Sequence, residues 1–114
     1  MTWFYVDDKF WSHPKTIGIS LSAVGVWTLA GSWCASHLTD GYIPADALHM
    51  VCRRNTSKPV QELVDRCLWT PAGDGWQFVD WLQWQKSRET IEGKRAATRA
   101  RQEAWRQRQR QTDP

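Results

Sequence analysis

The sequence predicts an α+β fold, mainly α, that ends in a long basic helix. Three observations predict it. Apolar residues recur at helical spacing through residues 21–38 and 60–67. A cluster of turn residues, Pro71, Gly73, Asp74 and Gly75, separates two short β-prone runs. From residue 87 onward the chain turns polar and Arg-rich while keeping residues that suit a helix.

Trp3 to Val6 form a short β-prone run, expected as an edge strand. DDKFWSHP follows as a loop, and a brief helix is expected to start at Pro14. Ser20 or Ser22 suits the cap of the next helix, over 21–38. On it Ala23, Val26, Trp27, Ala30, Trp33, Cys34 and Leu38 lie three and four apart and mark the buried face. Gly25 and Gly31 each cost that helix about 1 kcal/mol against Ala, so close packing against a neighbour is expected at both.

Thr39-Asp40-Gly41 ends the helix in a turn, and Tyr42-Ile43 has room only for a very short strand. Pro44 opens a helix over 45–51, with Leu48 and Val51 inward. The next helix lies within Arg53 to Trp69. Asn55, Thr56 and Ser57 are candidate caps for it, and Pro59 suits its first turn, where a missing N–H costs nothing. Val60, Leu63, Val64 and Cys67 then form its inner face. Leu68 to Thr70 and Trp76 to Val79 flank the turn residues as a β-hairpin. Helix, short strand, helix, helix, hairpin is the order of a winged helix-turn-helix, with Tyr42-Ile43 pairing with the hairpin.

A length of 114 residues allows one domain and an appendage, drawn here as a body at 1–86 and a basic helix or tail at 87–114. At 41% hydrophobic, with nine Trp, the body can build an aromatic core that leaves some rings at the surface. No run approaches the roughly 20 apolar residues of a membrane span. The early Asp7, Asp8, Lys9, His13 and Lys15 do not fit a signal peptide. The odd set Cys34, Cys52 and Cys67 fits reduced thiols in a cytoplasmic protein better than a disulfide framework.

Charge is divided unevenly. Residues 1–85 carry six Lys/Arg and eight Asp/Glu, a net of −2, and residues 86–114 carry nine and four, a net of +5. A mildly acidic body with a basic tail points to a polyanion, nucleic acid ahead of membrane.

Two stretches are the candidate DNA-binding residues. Arg53, Arg54, Asn55, Thr56, Ser57 and Lys58 sit at the entrance of the third main helix, with Gln61 one turn on. There the helix amides and dipole favour an anion. Arg53, Arg54 and Lys58 would hold phosphates, while Asn55, Thr56, Ser57 and Gln61 would reach base edges or phosphates. Glu62, Asp65 and Arg66 are expected to point outward. Those acids would repel the backbone of a deeply seated duplex, so entry by the N-terminal end alone is expected.

The second stretch runs from Ser87, expected as N-cap, with Glu89 and Glu92 near the positive end of the helix. Its 100° steps set Arg95, Arg99, Gln102, Arg106 and Arg110 in one stripe about 80° wide. Lys94, Arg101 and Arg108 make a second basic line. Gly93, Ala97, Ala100 and Ala104 form a small-residue seam opposite the first stripe, which leaves a homodimer open. Ile91 and Trp105 are the only large apolar residues of the segment, so it cannot bury a face of its own.

The segments DDKFWSHPK, GVWTLAGSWCASHLTDGYIP, VQELVDRCLW and DGWQFVDWLQWQKSRE occur in that order. Over about residues 3 to 95 the chain resembles the winged-helix domain of actinobacterial and phage replication-initiation or replisome-organiser-like proteins. HLTDG followed by an aromatic, an aliphatic and Pro is the most specific piece. The resemblance implies a winged helix-turn-helix that binds double-stranded DNA in replication or transcriptional control. This sequence departs from an initiator in having no helicase-loader or nuclease domain after the basic helix. The hairpin tip, 71–75, also carries Asp74 and no Lys or Arg, which argues against a phosphate grip by the wing. The rival expectation is a protein-interaction module that docks on a host or phage protein through the winged helix and the tail.

Catalytic and metal chemistry find little support. Cys34-x2-His37 and His49-x2-Cys52 have tolerable zinc spacing, but both pairs fall in or at the end of expected helices with no knuckle. No metal or cofactor is therefore expected. Ser57 lacks a paired His and Asp at any recognisable spacing, Asp7-Asp8 reads as a loop pair, and Gly73-Asp74-Gly75 reads as a turn, not a phosphate loop. The chain is not expected to be an enzyme.

Overall fold

A computed structural model describes residues 3–85 and 88–112 of the chain. The elements run α1 (Leu21–His37), β1 (Tyr42–Pro44), α2 (Ala45–Cys52), α3 (Ser57–Asp65), β2 (Trp69–Ala72), β3 (Gly75–Phe78), α4 (Trp81–Trp84) and α5 (Arg88–Thr112), after a single 3-10 turn at Phe10–Ser12. The fold is α+β and mainly helical, with one small antiparallel sheet ordered β1-β3-β2.

Ser20 caps α1: its hydroxyl oxygen accepts from the Ala23 amide at 3.1 Å. Leu38 closes the helix in the left-handed conformation, φ 54°, and its N–H bonds back to the Cys34 carbonyl. Between these ends α1 buries Ala23, Val26, Ala30, Gly31, Cys34 and Ala35. Small residues dominate that face because other chain segments approach it closely. A Cβ at Gly31 would overlap the Phe4 ring, so the expectation of close packing holds there. It fails at Gly25, which faces open space.

The sheet is set by the hairpin. Its turn is the residue pair Gly73-Asp74, tighter than the 71–75 turn expected, because Pro71 and Ala72 already belong to β2 and Gly75 to β3. β2 is an edge strand, where the missing N–H of Pro71 is tolerated. β1 joins β3 through Tyr42↔Gln77, Ile43↔Trp76 and Pro44↔Gly75. At Gly75 any side chain would overlap the Ile43 carbonyl oxygen, so the approach of β1 needs glycine.

Leu48 of α2, Leu63 of α3, Ile43 of β1 and Trp69 of β2 meet α1 in the core and are almost fully buried. Each such large side chain contributes about 1.5–3 kcal/mol by leaving water. A second, aromatic layer lies beside it. Phe4 sits 5.0 Å from Trp27 and stacks on Trp81 at 5.8 Å, while Trp27 meets Phe10 at 4.8 Å.

Four expectations are corrected. Residues 3–6 form no strand. Their backbone is held by a distant side chain, with the Tyr5 N–H donating to Gln85 Oε1 at 2.9 Å and Gln85 Nε2 donating to the Tyr5 carbonyl at 2.6 Å. The early helical turn lies at Phe10–Ser12, before Pro14, and the buried Thr16 hydroxyl donates to the Phe10 carbonyl across the loop. Cys67 is not on the inner face of α3. The helix stops at Asp65, and Cys67, with φ 59°, turns its thiol to solvent. The short helix α4 was not expected at all.

The long C-terminal helix forms as expected, 25 residues or roughly 37 Å. Ile91 is buried, and residues 92–111 are exposed throughout. Ser87, expected as its cap, lies outside the described residues. Among the described residues no helix is long and apolar enough to cross a membrane.

Candidate nucleic-acid interface

The turn between α2 and α3 is built by two local devices. Arg53 ends α2 in the left-handed conformation, φ 54°, with its N–H on the His49 carbonyl at 2.8 Å. Asn55 then folds its side chain forward, and its Oδ1 accepts from the Ser57 N–H at 3.0 Å. α3 starts at Ser57, with Thr56 at the cap position making no side-chain cap bond. Of the three residues proposed as caps, Asn55 therefore performs the role, from one position further out.

This geometry leaves the cations outside. Arg53, Arg54, Asn55, Ser57 and Lys58 are exposed and Thr56 is half-buried. None of them lies beneath another part of the molecule. The backbone contributes less than the sequence implied. The Ser57 amide is engaged by Asn55, Pro59 has none, and the Val60 amide already bonds to the Thr56 carbonyl at 2.9 Å. Lys58 is the one residue among the first three of α3 whose N–H remains outside these bonds, so anion attraction at this end falls mainly to the side chains.

The rest of α3 departs further from the expectation. Glu62 does not point freely outward. It reaches α1, where its carboxylate accepts from the Ser20 amide at 2.8 Å and the Ser20 hydroxyl at 2.6 Å. Those hydrogen bonds hold its pKa below the ordinary carboxylate value. Arg66 bends to the Ile17 carbonyl at 2.6 Å. Gln61 is exposed as expected, and its Nε2 donates to Asp65 Oδ1 at 2.8 Å, a bond that engages one of the two amide hydrogens and leaves the second N–H and Oε1 outside it. Both acids of α3 are thus hydrogen-bonded within the fold, Glu62 to α1 and Asp65 to Gln61, while Asp65 stays exposed.

The hairpin tip is closed to anions. Asp74 accepts a hydrogen bond from the Tyr42 hydroxyl, which raises the Tyr42 pKa, and 69–78 carries no Lys or Arg. On α5, Arg95, Arg99, Arg106 and Arg110 are all exposed. Arg106 lies 3.6 Å from Glu103, an exposed pair of little energetic weight.

Both members of the Cys34-His37 pair are occupied by local contacts. Cys34 is fully buried with Sγ 3.4 Å from the Tyr42 carbonyl, and burial pushes its pKa up to about 11. The His37 ring stacks on Trp33 and sets Nδ1 2.9 Å from the Trp33 carbonyl. Among the described residues no group of three or more His, Cys, Asp and Glu is placed to hold a metal ion.

What the sequence missed is the pair of long-range bonds, Glu62 to Ser20 and Arg66 to Ile17. Only the Ser20 cap left a signal, and it does not reveal which carboxylate approaches. No family model, curated protein or solved structure matches the chain.

Proposed function

We propose that this protein is a winged-helix DNA-binding protein acting in phage-type replication or transcriptional control, at a cytoplasmic location. Residues 1–86 serve as the winged-helix domain and 87–114 as a basic arm. The observation that carries this reading is the exposure of Arg53, Arg54 and Lys58 around the entrance of α3, on a four-residue turn from α2 and ahead of a hairpin. That order is the one in which winged helices offer a recognition helix to the major groove. The tethering of Glu62 and Arg66 supports entry by the N-terminal end of α3, since the middle of the helix is held by α1 and the loop before it. The arginine stripe of α5 supplies sequence-independent affinity.

The test is a titration of duplex binding against salt. With about five or six tail cations on phosphates, log K falls with log salt at a slope of about −5. Deleting residues 88–114 flattens the slope. An unchanged slope removes the tail from the interface, and no binding at physiological salt removes the DNA reading.

One observation favours a second reading, a module that docks on a host or phage protein. The hairpin tip has no cation, and Trp11 and Leu21 are 80% and 88% exposed. Exposed Trp is the kind of residue that anchors protein interfaces. Duplex binding absent at physiological salt is the outcome this reading predicts.

A further inference from the structure

Trp105 has no role in either account above. It is 58% exposed on a helix that carries no other large apolar residue from Glu92 onward. An isolated indole about two-thirds of the way along an arginine-rich rod is a side chain that a partner can cover.

The body has a cavity that suits it. A pocket of about 200 Å³ opens between the N-terminal segment, the α3–β2 turn and the β3–α4 turn. Phe4, Phe10, Trp27, Phe78 and Trp81 wall it. For scale, an apolar cavity of about 150 Å³ accepts benzene, so this one has room for a two-ring system. Aromatic walls also offer an indole the edge-to-face and offset contacts it favours. Asp7 and Asp80 stand at the rim, with Lys15 3.9 Å from Asp80 and His13 beside them.

The flanks of Trp105 match the acids of that rim. Arg101 and Arg108 lie four residues before and three after it, on the same side of α5. At 100° per residue this side is about 120° round the helix from the Arg95–Arg110 stripe. The +5 tail meets the −2 body with opposite net charge.

The occupant cannot come from the same molecule. Gln85 lines the pocket, and α5 begins at Arg88. Trp105 is 17 residues further on, about 25 Å along an unbroken helix. A continuous helix carries it away from its own pocket. We infer that the pocket receives Trp105 of a second copy of this chain, in a head-to-tail contact with Arg101 and Arg108 set against Asp7 and Asp80. Such a contact pairs two different surfaces, so a pair of copies still offers one free pocket on one copy and one free Trp105 on the other. The inference does not depend on the DNA reading, because it uses a different side of α5.

Sedimentation equilibrium of the nuclease-treated full chain tests it, with two variants at exposed positions. Wild type is expected to rise in mass with concentration. Trp105→Ser, lacking the insert, and Val79→Arg, with its mouth filled, are each expected to weaken association at least about tenfold. Circular dichroism confirms that both variants keep the fold. Mixing the two restores one good contact, so a one-to-one heterodimer forms and stops there. A wild type that stays monomeric, a Trp105→Ser variant that associates as wild type does (as pairing along the Ala97–Ala104 seam would produce), or a mixture that gains nothing would each overturn the inference.

Discussion

Glu62, near the middle of α3, holds the first turn of α1 through Ser20, one carboxylate oxygen on its amide at 2.8 Å and the other on its hydroxyl at 2.6 Å. The same hydroxyl oxygen accepts from Ala23, so a single Ser20 side chain links the cap of α1 to α3. The entrance of α3 is thereby fixed against the longest helix of the body.

That link sets a pH dependence. Hydrogen bonds from Ser20 lower the Glu62 pKa in the folded state. Its stabilising effect is therefore present above the unfolded carboxylate value and lost as pH falls through the lowered, folded one. Glu62→Gln is expected to melt several degrees below wild type at neutral pH. The gap should narrow below about pH 4. Thermal melts across pH check this; a gap that persists in acid would assign the effect to packing instead of charge.

The two α1 glycines should respond in opposite senses. Gly25→Ala meets nothing within 4 Å and gains helix propensity, so it is expected to stabilise by up to about 1 kcal/mol. Gly31→Ala drives a methyl into the Phe4 ring and is expected to cost about 1–3 kcal/mol. Urea unfolding of both variants reads the contrast.

Arg54 and Arg66 separate binding from stability. Arg54 is exposed on the α2–α3 turn, whereas Arg66 donates to the Ile17 carbonyl. Arg54→Ala is expected to weaken duplex binding several-fold with an unchanged melting temperature. Arg66→Ala is expected to lower the melting temperature, with a smaller loss of binding. Anisotropy titrations and melts on the same samples decide it, and equal binding by Arg54→Ala and wild type would exclude that turn from the interface.

Thiol chemistry reports the end of α3. Cys67 is exposed, Cys52 is half-buried with its pKa raised by burial, and Cys34 is buried with its pKa near 11. A thiol reagent at neutral pH is expected to modify Cys67 first, Cys52 slowly and Cys34 only on unfolding. Mass spectrometry of modified peptides over time gives the order, and early loss of Cys34 would contradict the closed core.

Four helices, α1, α2, α3 and α5, the hairpin and the exposed basic turn were legible in the sequence, whereas α4 was not. Each of these is written in neighbouring residues: the 21–38 periodicity, the Gly73-Asp74 turn, and the cap signals before Val60. The sequence also showed that α5 has no apolar face of its own. Only the tertiary structure decided which side chains stay outside. Glu62 and Arg66 looked like solvent-facing residues because their partners, Ser20 and Ile17, lie 42 and 49 positions away. Tyr5 looked like part of a strand, yet its partner is the amide of Gln85, 80 residues on. Local periodicity encodes which face of a segment is apolar; which distant polar group meets the other face depends on how the segments pack in space.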